Sequence, residues 1–344
     1  MDLSVTVTKT YTHLAGSATI IFIVIACLPM SQTGTIPAAV VTTHMQRNFR
    51  SIQVCLLVGI AGGVPRADAD IRLGDVVVGS GGVVQYDFGK STSDGFVRTS
   101  LNHRPANSLL QASSHLKALH LRGMGKFHEY VSHFNTLPEF TSRNAGRDIL
   151  FDAKYHHVAK GFTCEQCDKE REIKRQARDE HVMVYYGIIA SGNLVMKYSV
   201  ARDRVSSELN GALCFEMEAA GLITDSSFPC LVIRGISDYA DSHKNDRWKP
   251  YAAATAASYA KDLLLTLPSS EQSRTVQLQK ELETSYIPLK ESSQFFTGRG
   301  YFIDRLKNFF ALKTTRRRDF VLYGLGGCGK TQICLRFAEE NKDM

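Results

Sequence analysis

Five runs of apolar, largely β-branched residues are spread over the first three quarters of the chain, and turns containing glycine, serine or asparagine follow them. They are Thr19–Pro29, Val54–Gly63, Gly74–Gly82, Val182–Asn193 and Pro229–Asp238. Continuous apolar runs of this length are typical of strands that are covered on both faces of a sheet. The pattern therefore predicts a buried central sheet.

Segments with helical periodicity alternate with these runs. They are Ile36–Arg47, Asn107–His120, Val200–Leu209, Glu216–Asp225 and Pro250–Leu267. The last contains YAAATAASYAKDLLLTL, which is rich in strong helix formers and apolar on all sides, so we expect a helix packed on the sheet. Strands alternating with helices predict an α/β domain up to about residue 268.

Two segments depart from this alternation. The stretch Phe127–Arg178 is polar and histidine-rich and lacks a clear period, so we interpret it as an excursion over the sheet edge. Residues 269–296 are polar and predict a linker. After them, Phe302, Leu306, Phe309 and Phe310 recur at helical spacing and predict an amphipathic helix.

A glycine-rich loop of the form G-x-x-x-x-G-K-T follows, with a predicted strand before it and a predicted helix after it. In this context backbone N–H groups cradle phosphates, the lysine reaches the β- and γ-oxygens and the threonine holds Mg²⁺. The residues concerned are Gly324, Gly327, Gly329, Lys330 and Thr331. Because no acid-bearing strand or lid follows, we expect residues 297–344 to be the truncated start of a P-loop module. ATP or ADP with Mg²⁺ would be cofactors only of a complete module.

Charge and composition narrow the classes of partner. The chain of 344 residues carries a net charge of +7, and its basic residues are scattered. The densest cluster, Arg316–Arg318, is better explained as a solvated segment than as a nucleic-acid site. The 17-residue apolar run Leu14–Met30 contains glycine, serine and threonine and ends near Pro29, so a buried strand explains it better than a membrane anchor. We therefore expect neither nucleic-acid nor membrane partners.

The cysteines and two histidine-bearing segments are the candidates for metal and redox chemistry. The eight cysteines show no disulfide framework, which favours a reducing, cytoplasmic location. Cys164 and Cys167 have zinc-like spacing near His156 and His157, but no further Cys/His pair is evident. We favour a hairpin there and predict no metal site. His243 is interpreted as an exposed loop histidine rather than a substrate contact.

Small and acidic residues follow several predicted strands, where ligands of α/β sheets bind. They are the turns Gly59–Val64 and Ala190–Asn193, the segment Arg234–Asp241, and Cys214–Leu222 with its acids Glu216 and Glu218. Each has an ordinary alternative: a tight turn, an acid serving the helix dipole, or an aspartate cap. Taken singly, none of these features specifies a function.

Taken together, these segments resemble the nucleoside phosphorylase and nucleosidase superfamily. The resemblance covers roughly residues 18–267, and its motifs are VGIAGGVP, YYGIIASGNLVMK, CFEMEAAGL and FPCLVIRGISDYAD. It is specifically to the fungal branch in which such a domain precedes an NB-ARC or NACHT nucleotide-binding module. It implies a mixed central sheet flanked by helices, a purine nucleoside or nucleotide as ligand, and a homo-oligomer. It implies no cofactor for this domain beyond inorganic phosphate as a possible co-substrate.

The resemblance also implies roles for individual residues. Asp238 would be the general acid that protonates N7 of the purine, and Ser237 would orient it. Glu218 would bind the ribose hydroxyls, with Met217 packing on the sugar. The remaining residues of the implied substrate site are Ala61, Gly62, Ser191, Val195 and Met196.

Two departures from the family pattern bear on catalysis. Members usually carry a further strand and a glycine- or acid-bearing turn before the strand at Ile20–Cys27, and the first residues here do not supply that turn. Phosphorolytic members commonly hold phosphate with an arginine where this chain has Leu57 and Val58, which favours water as the nucleophile. Arg66, Arg72 or a partner subunit could still supply positive charge. A catalytically inactive ligand-sensing domain therefore remains an alternative to an enzyme.

Overall fold

A computed structural model of the chain describes residues 5–14, 17–93, 95–158, 163–178, 182–223, 229–267, 298–311 and 330–341. It divides into two compact units, Met1–Ser269 and Ser270–Met344. Each unit is described by itself below.

A mixed six-stranded sheet forms the centre of the first unit. Its strands are β3 (Cys55–Gly63), β4 (Val76–Gln85), β7 (Asn102–His103), β8 (Val184–Ser191), β9 (Cys214–Glu216) and β10 (Cys230–Asp238), in the order β10-β3-β9-β8-β4-β7. Strand β10 also pairs with β4, so five strands close into a ring. Parallel and antiparallel pairs alternate irregularly around this ring, which confirms the predicted mixed sheet.

The first apolar run forms a strand, but it does not join this sheet among the described residues. Strand β2 (Ser17–Ala26) pairs antiparallel with β1 (Val5–Leu14), in register from Val5 opposite Ala26 to Leu14 opposite Ser17. The strand is as predicted; its burial is not, because the Ile25 side chain is 48% exposed. Two adjacent runs rich in β-branched residues pair with each other at little cost in loop-closure entropy.

Seven helices are described in this unit. They are α1 (Thr35–Asn48), α2 (Asn107–Leu121), α3 (Phe127–Ser132), α4 (Ser142–Ala145), α5 (Ser199–Glu208), α6 (Ala219–Ile223) and α7 (Lys249–Thr266). The predicted helix from Glu216 is shorter than expected because Glu216 ends β9. Its carboxylate accepts the N–H groups of Glu218 and Ala219 at 3.0–3.1 Å and so caps the helix. A small antiparallel hairpin, β5 (Gly89–Thr92) and β6 (Gly95–Arg98), forms a separate two-stranded sheet.

The core lies between the sheet and α7. Val76–Val78, Leu231–Ile233 and Tyr259 are buried in it. Phe127, from the excursion that the sequence predicts over the sheet edge, is 2% exposed and contacts the Tyr259 ring, with 6.3 Å between centroids. The start of the excursion therefore packs on α7. The sequence could not predict this contact, because the excursion has no periodic pattern of apolar residues.

The second unit contains two described helices, α8 (Gly300–Ala311) and α9 (Lys330–Glu340), and both were predicted. Ile303, Leu306 and Ile333 are buried together, and Lys307 pairs with Glu340 at 2.8 Å. Lys330 and Thr331 begin α9. The linker, the Arg316–Arg318 cluster and the loop glycines Gly324, Gly327 and Gly329 lie outside the described residues. Across the described part of the chain, no helix combines the length and apolarity needed to span a membrane.

Candidate active site

The strand registers bring the predicted strand-end residues to one end of the closed sheet. Asp238 of β10 lies opposite Gly62 of β3, and Gly62 lies opposite Phe215 of β9. Glu216 of β9 in turn lies opposite Ser191 of β8. Segments separated by more than a hundred residues in sequence thus meet at a single rim.

Asp238 is held firmly at this rim. It is 5% exposed, and its carboxylate accepts hydrogen bonds from Ser237 Oγ at 2.9 Å and from Ala240 N at 3.0 Å. Lys244 Nζ lies 3.2 Å from Oδ2. Ser237 also lies 3.4 Å from the Ala61 carbonyl, to which its hydroxyl can donate. Fixed donors on both oxygens set the orientation of the carboxylate.

A cavity of about 340 Å³ opens beside Asp238. Its walls come from the segment after β10 and from the excursion, and they include Arg147, Cys164, Lys169, Arg247 and Trp248. Tyr239 also lines it. Burial and the neighbouring Asp148 raise the pKa of Tyr239 well above its usual value, and the hydroxyl donates to Asp148 Oδ1 at 2.5 Å. The volume falls within the range of small-molecule sites.

Arg234 links two carboxylates at the rim. Its Nη2 contacts a carboxylate oxygen of Glu216 and lies 3.4 Å from Oε2 of Glu218. Arg234 and Glu216 are both buried. The sequence analysis assigned no role to Arg234. A charged residue within the apolar run LVIRGIS nevertheless indicates a buried ion pair, because a buried arginine requires a partner.

The residues at the start of α1 also contact the carboxylate of Glu218. Gly34 N lies 3.4 Å from Glu218 Oε1, and Thr35 N donates to Asn193 Oδ1 at 3.1 Å. Asn193 comes from the ASGN turn, which the sequence singled out. Glu218 is therefore fixed between α1 and Arg234, in a position set by backbone and side chain alike.

The other predicted substrate residues occupy different environments. Ala61 and Ser191 are buried, and Ser191 Oγ accepts a hydrogen bond from Ala220 N at 2.9 Å. Val195 is 51% exposed, whereas Met196 and Met217 are half-buried. Among the described residues, only Ser237 and Asp238 of the predicted set line the cavity. The catalytic and substrate roles of all these residues, Ser237 and Asp238 included, stay predictions.

His243 is not the exposed loop residue that the sequence predicts. It is 8% exposed, and its ring stacks on Phe151 with 4.2 Å between centroids. Its backbone N–H donates to Asp241 Oδ1 at 2.9 Å. The prediction is wrong because Phe151, more than ninety residues earlier in the excursion, supplies an aromatic surface that covers the ring.

The chain is similar in sequence to two proteins of known description. The chain is 37% identical over 334 residues to a nucleotide-binding leucine-rich repeat (NLR)-like protein of Hyaloscypha variabilis, a match that covers 93% of this chain and 32% of the relative. It is 34% identical over 100 residues to the ATP nucleosidase Cap17 of Escherichia coli, covering 28% of this chain and 20% of that protein. The chain thus spans about a third or less of these relatives.

A solved structure, the 5'-methylthioadenosine/S-adenosylhomocysteine nucleosidase of Neisseria meningitidis, matches with a TM-score of 0.47 and 19% identity, over 77% of this chain and 90% of that one. A family model described as the phosphorylase superfamily matches residues 6–267. This match covers the whole rim and confirms the resemblance drawn from the sequence motifs. The chain therefore belongs to the phosphorylase superfamily.

Proposed function

We propose that the first unit cleaves the N-glycosidic bond of a purine nucleoside or nucleotide, with Asp238 as the general acid. The observation that carries this proposal is the Asp238 carboxylate itself. It is buried, oriented by hydrogen bonds to both oxygens, and placed in the wall of a cavity of about 340 Å³. The superfamily match and the nucleosidase activity named for Cap17 support it.

The proposed chemistry assigns each group a step. In its protonated form, Asp238 gives its proton to N7 of the purine and so makes the base a better leaving group. The bond to the ribose breaks through an oxocarbenium-like state, water adds at C1′ and loses a proton, and the Asp238 carboxylate is protonated again before the next cycle. Glu218 accepts hydrogen bonds from the ribose hydroxyls. Arg234 is a positioning residue, because it holds Glu218 in place through the contact at 3.4 Å.

The arginines that could hold a phosphate according to the sequence are already paired, which supports water as the nucleophile. A bound phosphate needs fixed cations with unsatisfied charge. Arg72 pairs with Asp70, and Arg66 pairs with Asp68 at 3.0 Å. At the rim, Arg234 faces the carboxylates of Glu216 and Glu218. Arg147, Lys169 and Arg247 in the cavity wall are the basic groups that a phosphate would have to use, and the assay with and without phosphate tests this.

We also propose that the domain acts as an effector in an NLR-like protein of the cytoplasm. The similarity to the Hyaloscypha variabilis protein extends over 93% of this chain, beyond the superfamily domain. The P-loop signature Gly324–Thr331 is the element through which nucleotide would control such a protein. Assembly of the nucleotide-binding module would then bring copies of the first unit together as a homo-oligomer.

A product assay tests the activity. The purified chain is incubated with adenosine, inosine, guanosine and ATP, with and without phosphate, and free base is measured by chromatography. Base released without phosphate supports hydrolysis; release that requires phosphate means that the reaction is phosphorolysis. Absence of free base from every substrate contradicts the enzymatic proposal.

One observation favours a second candidate, a ligand-sensing domain without turnover. Glu218 is engaged by Arg234 and Gly34, and the Ser191 hydroxyl accepts a bond from Ala220, so groups predicted to meet substrate already have protein partners. Equilibrium dialysis with radiolabelled nucleosides and ATP distinguishes the two. Saturable binding without base release supports sensing, and turnover excludes it.

A further inference from the structure

The turn at Cys164–Cys167 folds against the imidazole of His157. One ligand atom from each of His157, Cys164 and Cys167 lies within 4.8 Å of the other two. The turn is closed by a hydrogen bond from Cys167 N to the Cys164 carbonyl at 3.1 Å. Cys167 is buried, and the other two side chains are half-buried. The cluster is thus sheltered and already assembled.

We propose that His157, Cys164 and Cys167 bind a zinc ion. Two thiolates and an imidazole are a donor set that zinc prefers. Tetrahedral coordination with Zn–S of about 2.3 Å and Zn–N of about 2.0 Å places such ligand atoms about 3.5–3.8 Å apart. The observed cluster, within 4.8 Å, reaches that spacing with a small contraction. Binding displaces the two thiol protons to solvent and forms two Zn–S bonds and one Zn–N bond.

The contacts around His157 suit a metal ligand. Its Nε2 lies 3.0 Å from the Thr163 carbonyl, to which a neutral ring can donate. Metal-binding histidines commonly donate their other ring N–H to a carbonyl in this way. Its backbone N–H donates to Ser242 Oγ at 3.0 Å, which fixes the residue against the segment after β10.

A second imidazole stands beside the cluster. The ring of His243 lies 5.5 Å from that of His157, centroid to centroid. Two imidazoles on one tetrahedral zinc are separated by about 5 Å at their centroids. His243 is more than nine-tenths buried, and both its ring nitrogens lack a hydrogen-bond partner among the described residues. His243 is not among the three residues whose ligand atoms lie within 4.8 Å of one another, so a water molecule would be the fourth ligand unless the His243 ring moves closer.

The ion would fix one wall of the cavity beside Asp238. All three ligands come from the excursion, whose Thr163 and Cys164 line that cavity. Zinc would hold this wall in one conformation, as structural zinc does in small loops. Metal binding is independent of whether the chain cleaves nucleosides, and its test does not use activity.

The test measures zinc in the full chain by inductively coupled plasma mass spectrometry after reconstitution with ZnCl₂ under reducing conditions and desalting. We expect about one zinc per chain, and loss of most of it in Cys164→Ser, Cys167→Ser and His157→Ala, since even outer-shell changes lower metal affinity about 10–100-fold. His156→Ala is the matched control. It removes the neighbouring imidazole, which contacts the Tyr198 ring, and should keep the zinc.

Cobalt substitution gives a readout that does not depend on the variants folding. Co²⁺ bound by two thiolates shows thiolate-to-cobalt charge-transfer absorption and intense visible bands typical of tetrahedral coordination. These bands in the wild-type chain support the proposal. Wild-type protein that holds no zinc and shows no such bands overturns it, as does equal zinc content in His157→Ala and His156→Ala.

Discussion

The backbone of Gly62 is in close contact with the carboxylate of Asp238. A Cβ at position 62 would lie 2.7 Å from Asp238 Oδ1 and 2.9 Å from Ala240 N. Asp238 is the proposed acid, and the nitrogen of Ala240 belongs to the backbone, which cannot rotate away as a side chain can. Glycine is required at position 62 because the ends of β3 and β10 lie so close together that a Cβ would collide with Asp238 and Ala240.

Gly62→Ala should therefore displace Asp238. We expect base release to fall by at least about 10-fold, given that small misplacement of catalytic groups is costly, and the free energy of unfolding to fall by about 1–3 kcal/mol. Steady-state kinetics and thermal denaturation measure the two effects. Gly300→Ala, where a Cβ would meet nothing within 4 Å, is the control. Wild-type kinetics in Gly62→Ala would contradict the proposed placement of the acid.

Asp238→Asn should lower base release by about 10²–10⁴-fold, the usual contribution of a general acid. The amide keeps the shape of the side chain but does not supply the proton. Asp246→Asn is the matched control, since Asp246 is exposed and pairs with Lys249 at 2.6 Å. An unchanged rate in Asp238→Asn means that another group protonates the base.

Arg234→Met should destabilise the fold. It leaves the buried carboxylate of Glu216 without its cation, and removal of one partner of a buried ion pair costs about 3–5 kcal/mol. Chemical denaturation measures this change. Arg204→Met should have little effect, because Arg204 is exposed and lies 3.8 Å from Glu208. Equal stability of the two variants would show that the Arg234 contacts contribute little to the folded state.

Ligand binding should change the fluorescence of Trp248. It is the only tryptophan of the chain, it is buried, and it lines the cavity beside Asp238. Titration with adenine or a nucleoside should give a saturable change in emission, which is lost in Trp248→Phe. If base is released while the emission stays constant, the substrate occupies another part of the rim.

The sequence predicted the elements more fully than their contacts. The boundaries of β3, β8, β10 and α7 agree with their apolar runs to within two residues, because strand and helix periods are local properties. The prediction that the strand containing Ile25 is buried was wrong, because burial depends on which strands pair with each other. The prediction of an exposed His243 was wrong for the same reason, because its partner Phe151 is distant in sequence. The packing of Phe127 on Tyr259 likewise could not be predicted from the sequence.

In the candidate site, too, the sequence predicted local features but not the contacts between distant segments. The segment GISD could be recognised from the sequence because the acid and its serine are adjacent, and Ser237 does hold Asp238 at 2.9 Å. The pairing of Arg234 with Glu216 and Glu218 could not, because it requires the ring order of β9, β3 and β10.

The sequence by itself determined the superfamily, the α/β class and the chemical types available at the strand ends, since these are written in local motifs and periodicity. Only the tertiary structure decided which groups meet. The closed ring brings Gly62 against Asp238, and the folded excursion brings Phe151 onto the ring of His243. Such contacts depend on the packing of segments far apart along the chain, and no local pattern encodes them.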